Sequence, residues 1–138
     1  MDRVEKLAGP AVPSFGRRRT VRYLAAAASG LVALLYFLIG FGQLQVVDEV
    51  ASDAPSLIFF GVPAGSAFVL GAVLLLATDR RRLWIIGAIF QIFVIVAYIQ
   101  VAPRRTPPFE EWGIAIKVLQ AGILAALAYL VASHDRRR

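Results

Sequence analysis

Residues 56–101 read SLIFFGVPAGSAFVLGAVLLLAT, then DRRR, then LWIIGAIFQIFVIVAYIQV. Each of these two apolar runs is roughly as long as a transmembrane helix, which needs about 20 residues at a rise of about 1.5 Å each. Two more runs of this kind, residues 23–42 and 113–132, lie before and after the pair. The sequence therefore predicts an all-α fold, an integral membrane four-helix bundle that occupies most of the chain.

The composition supports a membrane protein. Hydrophobic residues make up 59% of the chain, against about 45–50% in a typical soluble domain. The mean hydropathy is +0.69. There is no cysteine, which excludes a disulfide framework and thiolate chemistry.

The basic residues indicate how the bundle is oriented. Most of the 15 lysines and arginines lie before the first apolar run, between the second and third, or after the fourth, whereas residues 43–55 carry only acidic charges. Lys and Arg are retained on the cytoplasmic side of a membrane, so we expect both termini to be cytoplasmic. The predicted organisation is an irregular basic tail (residues 1–20), the bundle (residues 21–133) and a short basic tail (residues 134–138).

The four-residue turn at residues 79–82 constrains the helix order. A connection this short predicts that the second and third spans are antiparallel neighbours. With a short third loop as well, the simplest architecture is up-down-up-down, with the N and C termini both inside.

Arginines beside the apolar runs are predicted to anchor the protein at the anionic inner leaflet, which attracts each by about 1 kcal/mol. These predicted anchors are Arg17, Arg18, Arg19, Arg22, Arg80, Arg81 and Arg82. Docking of an acidic partner is the alternative. Nucleic-acid binding is not expected, because no aromatic residues alternate with the cations to form a stacking surface. The arginine-rich composition favours a bacterial protein, and hence a multi-pass protein of the bacterial inner membrane.

Aromatic residues with polar tips lie near the predicted membrane boundaries, Tyr23, Trp84 and Tyr129 at the inner one. Such rings favour the headgroup level. The pattern predicts that these three side chains lie at the membrane surface.

Small residues recur along the second span and predict close helix packing. They are Gly61, Gly65, Ala67 and Gly71. Small side chains four residues apart form a flat strip on which another helix approaches closely. Two alternatives stay open, packing against the first span and contact with another subunit.

The third loop and the fourth span contain the best candidate for a functional site. Glu110 and Glu111 fall in the first helical turn, where the helix dipole favours anions. Glu110, Lys117 and Gln120 share one helix face, and two side chains of the third span are candidates to join them. The candidate polar site comprises Lys117, Gln120, Glu110, Glu111, Gln91 and Tyr98.

Lys117 has two interpretations. A charged side chain at mid-bilayer costs about 2.5–3.5 kcal/mol and often belongs to a functional site. Lys117 lies only about 9 Å beyond Glu111 along the helix, so its ammonium can snorkel to the outer surface or pair with Glu110. Alternatively, it faces the bundle interior as part of a polar site that opens outward.

No catalytic residues, metal ligands or cofactors are predicted. The single histidine, His134, follows the last apolar run, so a bis-histidine haem or a three-histidine metal site is excluded within the bundle. The carboxylates Glu110 and Glu111 have arginine neighbours that favour their ionised form, which is unsuited to proton donation.

Two short segments carry a resemblance to a known family. They are GFGQL (residues 40–44) and GAVLLL (residues 71–76), the latter followed by RRR (residues 80–82). In this part of the chain the sequence resembles the DoxX-like small four-helix membrane proteins. Members of that family are implicated in respiratory or redox-linked membrane complexes, so the resemblance implies an accessory subunit.

The sequence therefore favours a small, non-catalytic membrane protein that packs against a larger membrane complex or against copies of itself. The alternative is a small transporter, or a lipid- or quinone-binding protein, with its polar site around Lys117. A membrane enzyme is the third and least supported reading.

Overall fold

Four long helices account for nearly all the structure of this chain. The computed structural model describes residues 14–45, 57–104 and 108–135. All the regular structure in these residues is helical: α1 (Ser14–Gly40), α2 (Leu57–Ala77), α3 (Arg81–Val101) and α4 (Glu111–Asp135), with a short 3-10 turn at Ala102–Arg104. Each of the four helices is long and apolar enough to cross a membrane. The prediction of an all-α fold with four helices of membrane-spanning length and hydropathy is confirmed for the described residues.

The first helix begins earlier than the predicted span. Residues 14–20, which the sequence assigned to an irregular tail, are helical. The hydroxyl of Thr20 donates a hydrogen bond to the carbonyl of Gly16 at 2.9 Å, and Arg18 is buried against other helices. These contacts extend α1 beyond its apolar part. Residues 1–13, residues 136–138 and most of the predicted loop at residues 43–55 lie outside the described residues.

The helices pack in the order α2, α1, α4, α3. Helix α1 lies along both α2 and α4, and α3 lies along α4. Helices α2 and α3 lack close backbone packing along their lengths, contrary to the prediction that they are neighbours. The rings of Phe68 and Phe90 still contact each other between them, with centroids 5.9 Å apart. Helices α1 and α4 take the central positions, and the connection at residues 78–80 joins only the ends of α2 and α3.

Helices α1 and α2 approach each other closely because two glycines face each other. A Cβ atom added at Gly61 would lie only 2.6 Å from the Cα of Gly40 and from the carbonyl oxygen of Tyr36. At Gly65 a Cβ would meet the ring of Phe37 at 2.9 Å. Because glycine has no side chain, the two backbones can touch and gain dispersion contacts. Such contacts are important in lipid, where no hydrophobic force drives helices together.

The interior and the outer surface of the bundle are both apolar. Val32, Ile123 and Leu130 are almost completely buried between the helices, whereas large side chains such as Leu24, Phe59 and Phe93 are exposed. A contiguous apolar exterior is the property of a helix bundle that folds in lipid. Helix α3 is the most peripheral, because 12% of its apolar window is buried, against 44% for α1.

Candidate functional site

A polar cluster joins α1, α3 and α4 inside the bundle. We call Lys117, Gln120, Tyr36 and Tyr98 the Lys117 cluster. The ammonium of Lys117 donates hydrogen bonds to the hydroxyl of Tyr36 at 3.2 Å and to Oε1 of Gln120 at 2.5 Å. Nε2 of Gln120 donates to the same hydroxyl at 3.4 Å. Gln120 is 0% exposed, so the cluster lies within the bundle.

Aromatic rings contribute a second kind of contact to this ammonium. Nζ of Lys117 lies 4.9 Å from the ring centroid of Tyr98 and 5.8 Å from that of Tyr36. The negative face of an aromatic ring attracts a cation, most strongly where water is excluded. Two oxygens, one from a hydroxyl and one from an amide, and two aromatic rings therefore stabilise one positive charge in place of water.

Glu110 lies next to this cluster, at the start of α4. Its side chain is buried, and a Cβ added at Gly113 would collide with both Oε1 of Glu110 and the hydroxyl of Tyr98. Glycine at this position thus allows a carboxylate of α4 and a phenol of α3 to approach the same point. Glu111, in contrast, is exposed in the first turn of α4.

The structure separates the six predicted members of the polar site. Lys117, Gln120 and Tyr98 meet in the Lys117 cluster, and Glu110 lies beside Tyr98. Gln91 lies elsewhere, on the wall of a cavity described below. Tyr36 was not among the predicted members. Its hydroxyl in the middle of an apolar run marks it as a polar candidate but does not show which helix it meets.

At the opposite end of the bundle, a second cluster connects all four helices. We call Arg18, Asp79, Trp84 and His134 the Arg18 cluster. Nη2 of Arg18 donates to Oδ1 of Asp79 at 2.8 Å and lies 3.2 Å from Nδ1 of His134, which accepts because a guanidinium has no acceptor. Its Cζ lies 4.9 Å from the centroid of the Trp84 ring. The cluster thus joins the starts of α1 and α3 to the ends of α2 and α4.

Two predicted surface residues are therefore part of the bundle interior. Arg18 and Trp84 are buried, whereas the predicted anchors Arg17, Arg19, Arg80 and Arg82 are exposed. Arg22 is intermediate, since it donates to the carbonyl of Leu76 at 3.0 Å and so satisfies one of the last carbonyls of α2. The sequence predicts that all these arginines lie near the same membrane surface. Which of them face the bundle interior depends on how the four helix ends pack.

A cavity of about 260 Å³ separates α2 from α3. Its walls come from all four helices and are almost entirely apolar, with the rings of Phe68, Trp84 and Phe90 among them. Two of the predicted small residues of α2, Ala67 and Gly71, line this cavity, whereas Gly61 and Gly65 face α1. The small residues of α2 thus belong to two different surfaces, the contact with α1 and the wall of the cavity.

The described residues contain no group of three or more His, Cys, Asp or Glu side chains that could hold a metal ion. The polar groups of the two clusters bind one another across helix interfaces. Their arrangement can hold the helices in register, and the Lys117 cluster can also hold a positive charge away from water.

Comparison with known proteins gives no match. No protein-family model matches the chain, and no curated protein or solved structure is significantly similar to it. The DoxX-like resemblance of residues 40–44 and 71–76 stays a prediction.

Proposed function

We propose that this protein is a non-catalytic subunit of the bacterial inner membrane that packs against a larger membrane complex through α3. Its role is structural or accessory. The DoxX-like resemblance agrees with this proposal, because members of that family are implicated in membrane complexes.

The exposure of α3 carries the proposal. Ile86, Ile89 and Phe93 are 62%, 62% and 70% exposed. They recur at three- and four-residue intervals and so lie on one helix face. Because α4 is the main packing neighbour of α3, this face offers a long, apolar and aromatic surface that a helix of another membrane protein can cover.

The proposed topology is up-down-up-down, with both termini in the cytoplasm. The Arg18 cluster gathers one end of every helix, and the exposed arginines Arg17, Arg80 and Arg82 belong to that end. Positive charge near membrane spans is retained on the cytoplasmic side. The Lys117 cluster and Glu111 then belong to the outer half.

Site-specific photocrosslinking in native membranes tests the accessory role. The photoreactive amino acid p-benzoylphenylalanine is incorporated in place of Phe93, or in place of Leu24 of α1 as the control, since Leu24 is 64% exposed on a helix that is packed on two sides. We expect one discrete, stoichiometric protein adduct from position 93 and only lipid adducts from position 24. Lipid adducts alone at both positions, or adducts only to a second copy of this chain, would refute the proposal.

The interior location of the Lys117 ammonium favours a second candidate function, a small transporter or a lipid- or quinone-binding protein. In this alternative, the oxygens and rings around Lys117 belong to a polar site in the outer half of the bundle. A charged group that faces other helices rather than the membrane surface is typical of substrate and ion pathways.

A further inference from the structure

The cavity between α2 and α3 is lined by two residues, each with a buried polar atom that the bundle itself does not satisfy. Gln91 is 4% exposed and Trp84 is 2% exposed, and both line the cavity. Among the residues that the structure describes, Oε1 of Gln91 accepts no hydrogen bond and Nε1 of Trp84 donates none. A buried polar group without a partner costs about 1–3 kcal/mol, and more in a medium without water.

The two groups are seven residues apart on α3, so they lie on one face, about 10 Å apart along the helix axis. Gln91 is at the middle of α3, and Trp84 lies near its start, in the Arg18 cluster. The cavity therefore has an acceptor at its deep end and a donor toward the arginine end. Apart from the hydroxyl-bearing Ser29 of α1, the remaining walls are apolar and partly aromatic.

The helix order provides a route into the cavity from the bilayer. Helices α2 and α3, which form its two sides, lack close backbone packing along their lengths and contact each other through the rings of Phe68 and Phe90. A molecule dissolved in the hydrocarbon can enter laterally between them without passing through water. A dry cavity of about 150 Å³ already binds benzene, so a volume of about 260 Å³ accommodates a substituted ring.

We propose that this cavity binds a membrane-dissolved ring compound that carries a hydroxyl group, an apolar phenol or alcohol, and that the hydroxyl donates to Oε1 of Gln91. The rings of Phe68 and Phe90 pack against the apolar body of the ligand. Trp84, whose indole N–H has no acceptor among the described residues, lines the other end of the cavity. This site does not depend on the accessory role proposed above: it shares Ile86 with the docking face of α3, but Ile89 and Phe93 do not line the cavity.

A pair of matched probes tests the role of the hydroxyl. The two probes are 4-bromophenol and 4-bromotoluene, which differ only in that the first carries a hydroxyl where the second carries a methyl group of similar size. Bromine in both quenches tryptophan fluorescence at short range. The protein has two tryptophans, so the Trp112→Phe variant in lipid nanodiscs leaves Trp84 as the only reporter. Probe concentrations are expressed as mole fractions in the bilayer, which corrects for the different partitioning of the two compounds.

We expect saturable quenching of Trp84 with about a tenfold preference for the phenol, the ratio that one satisfied buried hydrogen bond supplies. Gln91→Leu should reduce this preference to less than about twofold, because it removes the acceptor and leaves the cavity apolar. Gly71→Leu should abolish saturable quenching by filling the cavity, since a Cβ at Gly71 meets nothing within 4 Å.

Gly122→Leu is the control for the filled cavity. Gly122 also has open space at its Cβ, is exposed, and does not line the cavity, so saturable binding should persist. Equal affinities for both probes in the Trp112→Phe protein would overturn the proposal. So would the same saturable quenching in the Gly71→Leu and Gly122→Leu variants.

Discussion

The ammonium of Lys117 lies inside the bundle because three helices supply it with partners. Tyr36 of α1, Tyr98 of α3 and Gln120 of α4 surround it with oxygens and ring faces. A lysine that snorkels to the surface makes its contacts with headgroups and water instead. An interior Lys117 interacts with Tyr36, whereas a snorkelling Lys117 does not. The interaction energy between the two side chains therefore distinguishes these arrangements and can be measured.

A double-mutant cycle with Lys117→Met and Tyr36→Phe should give a coupling energy of about 1 kcal/mol, the size found for hydrogen bonds between membrane helices. The measurement is the free energy of unfolding in mixed micelles for the two single variants, the double variant and the original protein. Repeating the cycle with Tyr23→Phe, an exposed tyrosine of the same helix, is the control. A Tyr36 coupling as small as that of Tyr23 would show that Lys117 snorkels.

The sequence predicted part of this cluster. Helical spacing placed Lys117 and Gln120 on one face, because residues three apart on a helix are neighbours. Tyr98 was a candidate because it is a polar side chain of the adjacent span. Tyr36 could not be assigned, since nothing in the spacing of one helix tells which of the other helices covers it.

Among the helices, the α1–α2 contact depends on the absence of a side chain at one position. The atoms nearest to a Cβ at Gly61 are backbone atoms of Gly40 and Tyr36, and backbone cannot move aside without a shift of the whole helix. The small-residue motif alone predicted close packing. It did not reveal that Gly61 faces α1 while Gly71 lines a cavity.

Gly61→Ala should lower the free energy of unfolding by about 1–3 kcal/mol, the usual cost of overpacking. Gly71→Ala is the matched control, since a Cβ there meets nothing within 4 Å. In that variant, stability should be unchanged or higher by up to about 1 kcal/mol, because Ala favours a helix more than Gly does. The measurement is unfolding by sodium dodecyl sulfate, followed by circular dichroism. Equal effects of the two substitutions would contradict the α1–α2 geometry.

Two adjacent arginines of α1 should differ sharply in their contribution to the free energy of unfolding. Arg18 is buried and contacts Asp79, Trp84 and His134, whereas Arg17 is exposed. Arg18→Met should destabilise the bundle by roughly 1–3 kcal/mol, because it removes a buried charged donor together with its contacts to Asp79, Trp84 and His134. The half-exposed Asp79 keeps water as a partner, which limits the loss. Arg17→Met should change the free energy of unfolding by less than about 0.5 kcal/mol; an equal effect at both positions would count against the Arg18 cluster.

For the whole molecule, hydrophobicity predicted the number and length of the helices, since the need to satisfy the backbone in hydrocarbon permits few alternatives. The helix order was not predictable in the same way. A short turn joins the ends of α2 and α3 but supplies no packing energy along their lengths, and α1 and α4 take the central positions. The gap between α2 and α3 is the consequence, and the candidate ligand site lies there.

The position of the arginine end on the cytoplasmic side is the central claim of this account. Because the chain has no cysteine, single cysteines can be introduced without background labelling. Gln43 and Pro108 are exposed at the end that should face outward. Arg17 and Arg82 are exposed at the arginine end. Substitution of each by cysteine, followed by treatment of intact cells with a membrane-impermeant maleimide, reports directly on orientation. Positions 43 and 108 should react in intact cells, and positions 17 and 82 only after permeabilisation. Labelling of position 17 or 82 in sealed cells would contradict the account.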